Sequence, residues 1–382
     1  MEIELEMEDN DYLLAVSVLL ITYCLFETPS NAILKRMQPA RWLGGITIAW
    51  DLVATFSAFC NTKNEFIACR LLLGLFEPGL FPGFLVYLSM FYNKRSIALR
   101  VAYLFSTAAW AGALGGLVAY GIGFLDGAAG WSGWRWIFLT NGIPTILTGV
   151  VIPFVLPNSP ETAKFLTSVE RESLVIVRER EVGQTKSAQL MNKKDAMDAL
   201  KDWKTWAISS GQYCLNSMLY SFSVFLPTII VQTSSEWSRI QIQALTVPIY
   251  TLGGLTYLAC SWYSDRIQQR GPFAIASITV CIVGYILLIA NISPGASFAG
   301  CFIVAAGLYT AAGTPFSWGP VNNPRYGKRA IASGIQLTIG NASGVAAPFL
   351  FSSEHEPTFI PGYAGTIAML AYALGVFSFM HF

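Results

Sequence analysis

Charge is scarce in this chain. Of its 382 residues, 12% are Asp, Glu, Lys or Arg and 54% are hydrophobic, whereas soluble domains carry about 25% charged residues. Histidine is scarcer still. His355 and His381 are far apart, so no histidine-based catalytic cluster or metal centre is implied. The seven cysteines all fall within apolar stretches, where a thiol behaves as a small hydrophobe, and no disulfide framework is implied. No nucleotide-binding loop is present, and the chain suggests neither a cofactor nor a nucleic-acid partner. These absences argue against an enzyme. Met1 to Asp11 holds six carboxylates and no basic residue, so this stretch is not expected to be a cleavable signal peptide.

What fills the chain instead is apolar length. Eleven stretches approach or exceed the ~20 residues needed to cross a bilayer: 11–34, 42–60, 66–92, 99–125, 135–157, 205–231, 242–262, 273–292, 297–319, 330–352 and 363–382. No soluble core needs so many. The composition predicts an all-α, polytopic membrane protein with the lipid bilayer as its main partner.

The net charge of +1 hides an asymmetry. Twenty of the 24 Lys and Arg lie in alternate connections, at 32–41, 93–100, 158–204, 262–272 and 321–330. Basic segments resist translocation, so these five are expected to face the cytosol. Trp131, Trp134 and Trp136, at the opposite side, suit an interfacial belt.

An internal repeat runs through the basic loops. Lys35, Arg36 and Arg41 recur 59 residues later as Lys94, Arg95 and Arg100, and Arg266 and Arg270 recur at the same interval as Arg325 and Arg329. Parallel repeats about an axis along the membrane normal occur in secondary transporters. The expected organisation is a helical bundle at 1–157, a cytoplasmic linker at 158–204 and a second bundle at 205–382. The second bundle has six spans and the first only five, so a twelve-span chain lacking its first helix is expected.

Several motifs then resemble one family. "FETPSNAILKR" at 26–36, "RLLLGLFEPGLFPG" at 70–83, "GWRWIFLTNGIPT" at 133–145, "LPNSPETAKFL" at 156–166, "YSDRIQQRG" at 263–271 and "NNPRYGKRAIASGIQLTIGN" at 322–341 are similar to the allantoate permease-like anion:cation symporters of the major facilitator superfamily. The order and spacing of these motifs cover nearly the whole chain. The resemblance implies two six-helix halves and proton-linked uptake of a small organic anion such as nicotinate, allantoate or pantothenate, by a monomer in the plasma membrane. A vacuolar or efflux carrier and a non-transporting nutrient sensor are the alternatives. The chain departs from the family at Asn141, where a glutamate is expected, and at mid-span Asp51, where relatives carry a small neutral residue.

The intramembrane charges define the candidate site. Seven residues advance a helix by nearly two turns, so Arg70, Gly74 and Glu77 share a face. A charge at mid-bilayer costs at least ~2.5–3.5 kcal/mol and marks functional positions by default. Arg70 has the forked geometry that suits a carboxylate, while Glu77 and Asp51 can exchange protons. The alternative is that Arg70 and Glu77 are static partners between helices, and that Asp51 bonds a neighbouring helix. Glu27 reads as structural. Pro78, Gly79, Pro82 and Gly83 allow a local break in the helix, and Gly112, Gly115 and Gly116 suit close helix packing.

In the second bundle neutral polar side chains must do the binding. Asn216 and Tyr220, four apart, share a face, and Gln336 with Asn341 matches the family's pattern. Interhelical bonding is the competing role for all four. Trp318, Asn322 and Asn323 suit a gate or loop anchor. Asp265 and Arg266 resemble the superfamily's cytoplasmic-loop motif, which implies locking of helices and no contact with substrate.

Overall fold

A computed structural model describes residues 4–7, 9–34, 37–92, 96–182, 193–233, 239–321, 326–350 and 359–381. The predicted positions Lys35, Arg36, Lys94, Arg95, Asn322, Asn323, Arg325 and His355 lie outside the described residues. Among the described residues the regular structure is helical. Its α-helices are α1 (Asp9–Leu34), α2 (Pro39–Phe56), α3 (Lys63–Phe76), α4 (Leu80–Phe91), α5 (Ile97–Gly123), α6 (Gly133–Val155), α7 (Ser168–Val182), α8 (Lys193–Lys201), α9 (Trp203–Thr233), α10 (Arg239–Ile267), α11 (Gly271–Ala290), α12 (Pro294–Val321), α13 (Tyr326–Leu350) and α14 (Ile360–His381).

Each of the eleven apolar stretches is mostly helical over its described residues. Among the described residues, nine segments are long and apolar enough to cross a membrane. The remaining two stretches form α1 and α13, whose polar residues dilute their apolar character. The long apolar helix of 66–92 is broken where its prolines and glycines predict. A 3₁₀ turn at Glu77–Gly79 separates α3 from α4, because Pro78 supplies no N–H for a regular helical bond.

The chain divides into two compact units. The first comprises Met1–Asn93, Ala119–Met191 and Arg325–Gly334, and the second Lys94–Val118, Asn192–Pro324 and Ile335–Phe382.

In the first unit, α2 lies against α6 and α1 against α3. The buried residues of α6 are Gly142 and Gly149, seven apart and hence on one stripe. A side chain at Gly44 of α2 would meet the Gly149 carbonyl at 2.7 Å, and one at Gly149 would meet Ile48 at 2.8 Å. Small residues thus let two backbones touch, which is how helices associate where lipid removes the hydrophobic drive. The other face of α6 carries Leu147, Phe154 and Val155, all exposed, as a lipid-facing surface requires. Asn158, just past α6, accepts a bond at 3.2 Å from the Ala40 N–H at the start of α2, and Tyr87 of α4 donates to the Pro157 carbonyl at 3.0 Å.

In the second unit, α9, α10, α11, α12 and α14 surround a core that includes Met218, Phe222, Tyr257, Leu308 and Phe377. Alanines 102, 109 and 113 of α5 join this core.

Candidate functional site

In the first unit the candidate charges sit on α2 and on the α3 break. Arg70, in α3, lays its guanidinium 4.5 Å from the ring centre of Phe66 and 5.7 Å from that of Phe138. Aromatic faces attract a cation that has left water. Glu77 is the C-cap of α3 with helical backbone angles, φ −65° and ψ −39°, so the helical phase from Arg70 carries through to it. The helix that carries Asp51, α2, packs against both α3 and the Glu77–Gly79 turn. Asp51 is 2% exposed, and its Oδ2 has no hydrogen-bond partner among the described residues. The three predicted ionisable residues therefore lie on elements that pack together in the first unit. Gly74, on the same stripe, is taken up by close approach of Thr22 and Leu19 of α1. Glu27 is fully buried, and Asn141 turns its amide back onto the Ile137 carbonyl of its own helix at 2.9 Å.

In the second unit, a ladder of neutral amides joins α9, α12 and α13. The Gln336 amide donates to Gln212 Oε1 at 3.1 Å, and the Gln212 amide donates to Asn216 Oδ1 at 2.8 Å and to the Ala312 carbonyl at 3.1 Å. Further along α9, the Tyr220 hydroxyl donates to Asn341 Oδ1 at 3.3 Å. Gln212, Asn216 and Gln336 are buried. The four predicted polar residues are thus brought together on adjoining helices. Gln212 is the member that the sequence reading missed, although it stands four residues before Asn216 and shares its face.

A cavity of about 310 Å³ lies in the same unit, lined by α5, α9, α10 and α12. Its polar groups come from Ser223, Gln243, Thr246, Tyr250 and Tyr309. Gly112, Gly115 and Gly116 form its α5 wall. The packing reading of these glycines holds only in part, because a side chain at Gly115 would meet nothing within 4 Å, whereas one at Gly112 would press on Tyr250 at 3.2 Å. The missed residues of α10 carry a weak signal, namely Gln243, Thr246 and Tyr250 at helical spacing in an otherwise apolar stretch.

Asp265, at the end of α10, accepts from the Ala98 and Leu99 N–H groups at 3.3 and 2.9 Å. These are orphan donors at the start of α5, where a negative charge is favoured. Arg270 lies 3.7 Å from the same carboxylate and donates to the Ser317 carbonyl of α12. Arg266 instead places its guanidinium 4.6 Å over the Trp262 ring. Trp318 packs on Phe377, ring centres 5.8 Å apart. On the other side of the first unit, the indole of Trp134 donates to Glu4 at 3.0 Å. That bond and one from the Ser132 hydroxyl hold the Glu4 carboxyl below the usual carboxylate range.

The first unit carries buried acids on membrane-length helices and the second a polar ladder and a lined cavity, features that suit a membrane transport protein. Residues 3–348 match the Major Facilitator Superfamily, and the chain belongs to that superfamily. An uncharacterized transporter of Schizosaccharomyces pombe is 34% identical over 384 aligned residues, covering 99% of this chain and 76% of its own length. The high-affinity nicotinic acid transporter of Saccharomyces cerevisiae is 28% identical over 371 residues, 97% of this chain and 68% of its own. Among solved structures, the proton:xylose symporter XylE superposes with a TM-score of 0.77 at 13% identity, covering 96% of this chain and 85% of its own. FucP in its outward conformation gives 0.70 at 11% identity, over 96% and 89%. The protein is an integral, multi-pass membrane transporter with the major facilitator fold, and it is not an enzyme.

Proposed function

We propose that this transporter is a proton-coupled symporter of the allantoate permease-like family, carrying a small organic anion across the plasma membrane by alternating access of two bundles, 1–157 and 205–382. The observation that carries the reading is the placing of Arg70, Glu77 and Asp51 on elements that pack together. A guanidinium is permanently charged and forked, so it suits a substrate carboxylate. A carboxyl on the same helix face as that cation is suited to exchange a proton as the substrate comes and goes. The nicotinic acid transporter among its relatives supports a monocarboxylate as substrate. In this reading Asn216, Tyr220, Gln336 and Asn341 supply neutral contacts to the rest of the substrate. Asp265 and Arg266 act on helix arrangement. The basic connections face the cytosol, and the chain works as a monomer.

Uptake of labelled nicotinate, counted per molecule at the cell surface and across external pH, tests the proposal. Arg70→Lys keeps the charge and loses the fork. A charge-assisted bond is worth about 1.5–3 kcal/mol, so KM is expected to rise roughly ten- to hundredfold. Glu77→Gln cannot release a proton and is expected to lose uphill accumulation while retaining exchange. Unchanged KM in the first together with unchanged pH dependence in the second would reduce the pair to a static link between helices.

A further inference from the structure

The seven cysteines read as buried hydrophobes in the sequence, yet two of them meet. Cys60 closes the turn after α2, Cys69 lies in the second turn of α3, and their sulfurs stand 3.7 Å apart. Cys60 is 4% exposed and Cys69 is half-buried. A disulfide needs sulfurs about 2.05 Å apart, so the two thiols stand in contact, short of bond distance.

The surrounding turn is held firmly. Arg135 of α6 donates to the Ala58 carbonyl at 3.0 Å and to Asn61 Oδ1 at 3.1 Å. The Asn61 N–H is bound by Glu65 Oε2 at 2.8 Å, and Thr62 caps α3 by accepting from the Glu65 N–H at 3.4 Å. Phe59 meets Trp131 edge-on with ring centres 5.2 Å apart. Leu5, Ala15 and Phe66 pack with Cys60 from within. Such a frame presents the two thiols to each other and keeps them there.

We propose that Cys60 and Cys69 are a redox-modification site, forming a reversible disulfide that staples the outer ends of α2 and α3 and slows uptake. The effect on uptake rests on the proposed function, because α2 carries Asp51 and α3 carries Arg70, the residue after Cys69. The basic-residue pattern puts this turn on the non-cytosolic side, where disulfides persist. The oxidant is a small external disulfide. The Cys69 thiolate attacks one of its sulfurs, forming a mixed disulfide and releasing one thiolate. The Cys60 thiolate then attacks Cys69 Sγ and releases the second. Two cysteine thiols lose two electrons, the external disulfide becomes two thiols, and these take up the two protons. Cys69 is the entry point because it is the more exposed of the two.

The test uses the full chain in intact cells treated with oxidised glutathione, which stays outside, or with diamide, which crosses the membrane. After denaturation, N-ethylmaleimide labelling is counted by intact mass. Expected are seven labelled thiols before oxidation, five after it, and seven again after dithiothreitol. Cys60→Ser and Cys69→Ser are each expected to keep six labels throughout, and their uptake should not respond to oxidant. Wild-type uptake should fall on oxidation and recover on reduction. Seven labels after both oxidants, or uptake unchanged in cross-linked protein, overturns the proposal. Cross-linking by diamide alone would sustain the pair and overturn the orientation, which keeps the two failures apart.

Discussion

The Gln336 amide donates to Gln212 Oε1 at 3.1 Å, with both side chains buried, and this bond ties α13 to α9. A buried amide whose partner is removed bears its desolvation cost, about 1–3 kcal/mol. Gln336→Leu and Gln212→Leu are each expected to lower the thermal midpoint of the detergent-purified protein. The double substitution should cost less than the two single costs added together. A coupling of about 0.5–3 kcal/mol is expected for residues in one network. Additive costs would mean that the bond contributes nothing to stability.

Helix packing gives a sharper contrast between two neighbours. A methyl group at Gly44 would meet the Gly149 carbonyl at 2.7 Å, while one at Gly45 would meet nothing within 4 Å. Overfilling a tight contact costs about 1–3 kcal/mol, whereas alanine in an open helical position gains up to about 1 kcal/mol over glycine. Gly44→Ala should therefore lower the melting temperature and the yield of folded protein, and Gly45→Ala should leave both unchanged or raise them. Equal behaviour of the two variants would argue against the α2–α6 contact.

These examples also show what sequence could reveal. Every membrane-length helix was legible, because apolar length is a local property that bilayer thickness sets. The break at Glu77–Gly79 was legible too, since Pro78 acts on its own backbone. Asn216, Tyr220, Gln336 and Asn341 stood out as polar residues in apolar stretches; the structure joins Asn216 to Gln336 through Gln212 and Tyr220 to Asn341 directly. The cavity beside Gly115 was not legible, because it exists only where α5 and α10 leave space that no single helix defines. The meeting of Cys60 with Cys69 depends on how the 57–62 turn doubles back, and nine residues of separation say nothing of that. Arg270 was hidden for a related reason. The sequence motif draws attention to Arg266, whereas the fold brings Arg270 to the Asp265 carboxylate.

Orientation is open to direct measurement. The alternation of basic connections places 122–130 outside and 158–204 inside. A glycosylation acceptor introduced between Ile122 and Gly130 should acquire a glycan, seen as an enzyme-sensitive mobility shift. One introduced at 180–190 should remain unmodified. The reverse pattern would invert every connection, including the side on which the Cys60 turn lies.

Asp51 offers the most discriminating variant. Its carboxyl is buried, its Oδ2 lacks a hydrogen-bond partner among the described residues, and α2 packs against the turn that carries Glu77. A buried carboxylate is costly to keep charged without partners, and a purely structural role for this acid would require compensating bonds. Asp51→Asn keeps the shape and leaves no charge to bury, while ending any proton exchange at this position. The expected result is a protein that melts no lower than wild type. Proton-driven accumulation should collapse toward equal concentrations inside and outside, while counterflow exchange of preloaded substrate continues. Reconstituted vesicles with and without an imposed pH gradient separate these two modes. Full accumulation in Asp51→Asn would leave Glu77 as the sole coupling acid, and a marked loss of thermal stability would return Asp51 to a structural role.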